Sequence, residues 1–85
     1  MAIKTTQTGF KYEIDDLVFD DWAIMELIEQ IEDGNPLATI KLAKLLLGKE
    51  QYDKLKVHCT VDGRVRSSLM MVEVKEIFDN SDVKN

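Results

Sequence analysis

The chain has 85 residues, enough for one small hydrophobic core but not for two independent domains. It is 45% hydrophobic and 32% charged, with a mean hydropathy of −0.19, the balance of a folded globular protein rather than a disordered one. A net charge of −5 argues against nucleic acid or an anionic membrane as the main partner, and the single cysteine, Cys59, rules out an internal disulfide or a cysteine-rich metal framework.

The first nine residues are polar and lack the apolar run of a secretory signal. No uncharged apolar stretch approaches the length of a membrane span, so a cytoplasmic location is expected. Ile3, Thr5 and Gln7 are spaced as one strand. Phe10, Tyr12 and Ile14 alternate with Lys11, Glu13 and Asp15 as a second, half-buried strand, with Thr8-Gly9 near the turn. A lone hairpin is marginal in water, so this one must lie on helices or pair with another chain.

Asp20 or Asp21 is placed to cap a first helix, in which Ile24, Leu27, Ile28 and Ile31 form a core stripe and Gly34 marks the end. Asn35-Pro36 then opens a second helix, with Asn35 as cap and Pro36 at the first helical position. Eight of the eleven positions from Leu37 to Leu47 are apolar, so this helix is covered on most sides, as the central helix or as part of an interface. Gly48 is expected to end it. A third helix over 49–59 carries a narrow stripe of Tyr52, Leu55 and Cys59. Asp62-Gly63 is a turn, and Ser67 or Ser68 caps a fourth helix with Met70, Val74, Ile77 and Phe78 on one face. The expected fold is one mainly helical α+β domain over 1–85: a hairpin or strand region at 1–15, about four short helices over 20–80, and a frayed tail at 81–85.

Charge is segregated along the chain. Residues 1–34 hold nine acids and two lysines, residues 35–66 seven bases and three acids, and residues 67–85 two lysines and four acids. An acidic first third and a basic middle steady a fold, or steer neighbouring copies head to tail.

No constellation points to catalysis. His58 and Cys59 are adjacent, so on a helix they diverge by about 100° and neither chelate one ion together nor face each other as base and nucleophile. Cys59 reads as a small core residue and His58 as a surface one. The acids Asp15, Asp16, Asp20 and Asp21 lack the ligand spacing of a calcium loop and read as caps and solubilising charge. Ser67-Ser68-Leu69 resembles the pantetheine-bearing Asp-Ser-Leu of acyl carrier proteins, but Ser67 replaces the Asp and too little chain follows for the two helices needed. Residues 36–59 have the outline of a helix-turn-helix, but Glu50 and Asp53 interrupt the basic face that DNA binding requires. What remains is a binding surface. The apolar load of the second helix, with Leu69, Met70 and Met71 in the last, suits an adaptable groove for a peptide or helix.

The order of features resembles a known family. The segments Glu32-Asp33-Gly34-Asn35-Pro36-Leu37, Leu46-Leu47-Gly48-Lys49-Glu50-Gln51-Tyr52-Asp53-Lys54-Leu55 and Asp62-Gly63-Arg64-Val65 follow a Phe-Lys-Tyr-Glu-Ile-Asp strand and an Asp-Asp-Trp helix. Over residues 10–80 this is similar to the tail assembly chaperones of long-tailed bacteriophages and of prophages of Gram-positive bacteria. The resemblance implies a non-enzymatic protein without cofactor or metal. Such a protein binds the long helical tape measure protein, keeps it soluble in the host cytoplasm before tube subunits polymerise around it, and is absent from the finished virion. It also implies action in many copies, and in many members a longer form made by ribosomal frameshifting. The groove is expected to be lined by Leu42, Leu45, Leu46, Met70 and Met71, with the tape measure protein and further copies of the chain as partners, and neither nucleic acid nor membrane among them. The alternative is a small acidic phage- or prophage-encoded regulator that binds a host protein.

Overall fold

A computed structural model describes residues 3–80. The N-terminal hairpin forms as the alternation predicts: β1 (Ile3–Thr5) pairs antiparallel with β2 (Lys11–Glu13), in the register Ile3 with Glu13 and Thr5 with Lys11. The connection is tied by its own polar groups. The Thr6 amide donates to the Phe10 carbonyl at 2.9 Å, and the Phe10 amide to the Thr6 hydroxyl at 3.1 Å. Gly9 sits at φ +97°, a backbone conformation that few side chains tolerate. Gln7 therefore lies in the turn rather than in the strand.

A 3₁₀ turn at Asp16–Asp20 follows, which the sequence reading missed. Asp15 caps it, accepting from the Leu17 amide at 2.9 Å. Helix α1 (Trp22–Glu32) starts at Asp21, whose carboxylate accepts from the Ala23 amide. Its end is closed by Gly34 at φ +88°, with the Gly34 amide bonded to the Ile31 carbonyl and the Asn35 amide to that of Gln30. Asn35 then caps α2 (Pro36–His58) through the Leu37 amide, with Pro36 leading, as expected.

Among the described residues there are three α-helices, not four. The expected stop at Gly48 is a kink inside α2: Gly48 adopts φ 76° and ψ 164°, and the helix resumes at once. No linker intervenes. A side chain bridges the break instead, because the Gln51 amide nitrogen donates to the Leu47 carbonyl at 2.8 Å. The Asp62-Gly63 turn carries a second small hairpin, β3 (Thr60–Val61) with β4 (Arg64–Val65); both turn residues have positive φ, 53° and 79°, as a tight two-residue hairpin requires. Helix α3 (Ser67–Asp79) follows. Neither Ser67 nor Ser68 caps it: the cap position is Arg66, with no side-chain bond to the helix. The expected tail at 81–85 lies outside the described residues.

The core has two clusters, both served by α2. Ala38, Leu42 and Leu46 face Ile24 and Leu27 of α1, joined by half-buried Ile28, Ile31, Phe19 and Phe78. Ala43, Leu47, Leu55 and Cys59 face Phe10 and Tyr12 of the hairpin and Val74 and Ile77 of α3. Leucines on two adjacent faces of one helix explain its apolar density: most of that excess is interior.

Candidate functional site

The five residues expected to line one groove fall in different places. Leu42 and Leu46 are 1% and 4% exposed and belong to the α1–α2 core, and Leu46 also lines a cleft beside the hairpin. Leu45 is exposed. Met70 is half-buried against the hairpin cluster, while Met71 is 46% exposed. The sequence reading supplied the right helices and treated several faces as one. Met70 and Met71, adjacent on α3 and about 100° apart, diverge, the first toward the hairpin cluster and the second toward the exterior.

Four of the five come together in pairs: Leu45 and Leu46 line a cleft of about 510 Å³ with Tyr12, Glu13 and Gln51, and Leu42 and Met71 meet elsewhere. Leu42 forms the floor and Met71 a wall of an apolar groove of about 480 Å³ between α1, α2 and α3. Ile28 and Ile31 of α1 and Val72, Val74 and Phe78 of α3 complete its apolar lining, and Glu32 and Lys75 are among its polar residues. Ile28 and Ile31 belong to the core stripe that the helical spacing predicts. They are half-buried because α3 does not close fully over them. A thioether and branched aliphatics on three helices make a deformable apolar slot of the type that accepts side chains from a helix or an apolar peptide.

The opposite flank of the molecule is polar, and its central element was not foreseen. Glu73 of α3 is 2% exposed and accepts hydrogen bonds from the Thr6 hydroxyl at 2.8 Å and the Thr8 hydroxyl at 3.0 Å. His58 is bonded to Thr8 through Nε2 at 2.8 Å and lies 4.0 Å from the same carboxylate. Further along α3, Glu76 accepts from the Gln7 amide and the Asn80 carbonyl from the Lys4 ammonium. These contacts seat the N-terminal hairpin along α3, and they satisfy a buried carboxylate that would otherwise be costly. The only earlier signal was the Thr-rich turn. The burial of Glu73 depends on which helix the turn meets, and that is not a local property of the sequence.

Gln51 performs a comparable task on the other side of β2. Its side-chain oxygen accepts from the Glu13 amide at 2.7 Å and its nitrogen donates to the Glu13 carbonyl at 2.7 Å. The carboxamide thus stands in for the peptide group of a further strand and covers the edge of β2. Cys59 is buried, and burial, followed by the nearby Glu73 charge, pushes its thiol above the ordinary range, which makes it a poor nucleophile. Among the described residues there is no group of three or more His, Cys, Asp or Glu side chains that could hold a metal ion, and no helix long and apolar enough to cross a membrane. Comparison with protein-family models, curated proteins and solved structures finds no match to this chain.

Proposed function

We propose that this chain is a non-enzymatic tail assembly chaperone of a long-tailed phage or prophage, which holds an apolar helical segment of the tape measure protein soluble in the host cytoplasm and leaves before the virion is complete. The observation that carries the reading is the apolar groove between the three helices, lined by Ile28, Ile31, Leu42, Met71, Val72 and Phe78. A holdase for a long helical partner needs an apolar slot of moderate size, a deformable lining, and net charge to keep the complex in solution. The −5 charge and the exposed methionine meet two of those needs. The resemblance carried by Gly34-Asn35-Pro36-Leu37 and by Leu46-Leu47-Gly48 through Leu55 names the partner.

The test is co-expression with a tape measure protein of a long-tailed phage. Met71→Asp puts a charge in the groove wall at an exposed position, so the helical circular dichroism spectrum should be retained while the tape measure protein moves to the insoluble fraction. A folded Met71→Asp protein that keeps its partner soluble would overturn the groove assignment. A wild-type chain that ignores the tape measure protein yet captures a host protein would favour the regulator instead.

A further inference from the structure

The backbone groups of β2 are used unequally on its outer side. In an antiparallel pair, alternate residues turn amide and carbonyl toward the partner strand, and those between turn them outward. The Thr6 amide bonds to the Phe10 carbonyl, so by the hairpin register Tyr12 faces Lys4 in the same way, and Lys11 and Glu13 turn their backbone groups away from β1. At Glu13 both outward groups are taken by Gln51, at 2.7 Å each. At Lys11 neither has a partner among the described residues. This edge opens into the cleft of about 510 Å³ between β2 and the kink of α2, lined by Lys11, Glu13 and Asp15 with Leu45 and Gly48. Leu45 is exposed, and open space lies where a side chain at Gly48 would stand.

Gln51 shows what kind of chain fits there. One carboxamide bonds to both the amide and the carbonyl of Glu13, the exchange that a single residue of an antiparallel strand makes. Charge and alternation specify the rest. Lys11 and Glu13 lie on the outward side of the hairpin, and Tyr12 between them is turned into the core. A strand laid antiparallel along this edge meets Glu13 with a basic residue, turns an aliphatic one toward Leu45, and meets Lys11 with an acidic one.

We infer that the outer edge of β2 is a docking site for an extended segment of another protein, basic, aliphatic and acidic in that order, which adds as a third strand and displaces Gln51. An open strand edge is a template for such addition, in which main-chain bonds give affinity and alternate side chains give specificity. Gln51 is the internal competitor. It satisfies Glu13 in the free chain and yields to a segment that bonds Glu13 and Lys11 together. The groove between the three helices takes no part in this contact.

The experiment is an amide-resolved NMR titration of the full chain with the peptide acetyl-Thr-Lys-Val-Glu-Thr-amide. Shifts should concentrate at Lys11, Glu13, Gly48 and the Gln51 side chain with a Kd of about 0.1–1 mM, and exchange of the Lys11 amide should slow about tenfold at saturation. Methylating the backbone nitrogen of the peptide's Lys or Glu removes a donor to β2 and should weaken binding about tenfold, whereas methylating that of Val, which points away, should change it less than about threefold. Gln51→Ala removes the competitor and should bind about tenfold more tightly. Leu45→Asp, at an exposed position, should bind about tenfold more weakly, and Met71→Asp like wild type, which separates failure here from failure of the groove. No shift at Lys11 by about 2 mM peptide, equal binding of the three methylated peptides, or a folded Gln51→Ala protein that binds no more tightly would each overturn the inference. Shifts at Lys11 that follow chain concentration without peptide would give the edge to a second copy and overturn it too. The methylated peptides probe the wild-type chain, so they decide the outcome even where a variant fails to fold.

Discussion

Gln51 is the most exposed point of failure in the architecture, because one side chain serves three backbone groups. Replacing it with alanine removes both hydrogen bonds to Glu13 and the one to the Leu47 carbonyl at the Gly48 kink. The site is partly buried, so water recovers some of the loss. At about 1 kcal/mol net per bond, the expected cost is about 2–3 kcal/mol. A chain of this size has a total stability on the order of 4–13 kcal/mol, so the loss is a large fraction of the whole. With a urea dependence of about 1 kcal/mol per molar, the unfolding midpoint should fall by about 2 M. Hydrogen exchange at the Glu13 amide should accelerate as well, because its acceptor is the Gln51 side chain. Gln51→Glu sharpens the test. It keeps an acceptor for the Glu13 amide but turns a carboxylate toward two carbonyls, so at neutral pH it should be no better than alanine. A midpoint within about 0.3 M of wild type for Gln51→Ala would refute the clamp and leave the kink to be explained by Gly48 alone.

The other predictions concern the core and alkaline stability. Leu46→Ala should cost about 3 kcal/mol in urea unfolding, whereas Leu45→Ala, one residue along and 46% exposed, should stay within about 0.5 kcal/mol of wild type; equal costs would contradict the two-faced packing of α2. Burial pushes the Cys59 thiol above its ordinary 9.0 and the Tyr12 phenol above its ordinary 10.0, the latter helped by the Glu76 charge and opposed by the Asn80 side chain. Both groups ionise more readily when unfolded. Their contribution to stability is therefore complete below pH 9 and is lost as pH rises through the folded values. Urea midpoints measured from pH 8 upward should fall, and Cys59→Ala should flatten the earlier part of that fall.

The parts of the fold that were legible in the sequence are those written in local chemistry. Asp21, Gly34, Asn35-Pro36 and Asp62-Gly63 mark element ends through backbone conformations and caps that depend on the immediate neighbours, and all of them stand where expected. Gly48 was misread as a stop because glycine at a helix end and glycine at a kink carry the same local signal; the difference lies in Gln51, which bridges across it. The serines at 67 and 68 lost the cap position to Arg66 because the second hairpin runs one residue further than a bare turn would. The candidate groove was half legible. Met71 and Leu42 were singled out, while Ile28, Ile31 and Phe78 were not, because a half-covered core stripe has the same periodicity as a fully covered one.

The buried Glu73 has a kinetic consequence. It joins Thr6 to α3 across 67 residues of sequence, and Lys4 reaches Asn80 across 76. The α1–α2 cluster, by contrast, forms between neighbours along the chain and closes only a short loop. Long loops close at greater entropic cost than short ones, so the seam between hairpin and α3 is the late event in folding and the early one in unfolding. A weakened seam leaves the folding rate nearly untouched and speeds unfolding, so Glu73 governs how long the folded chain lasts more than how fast it forms.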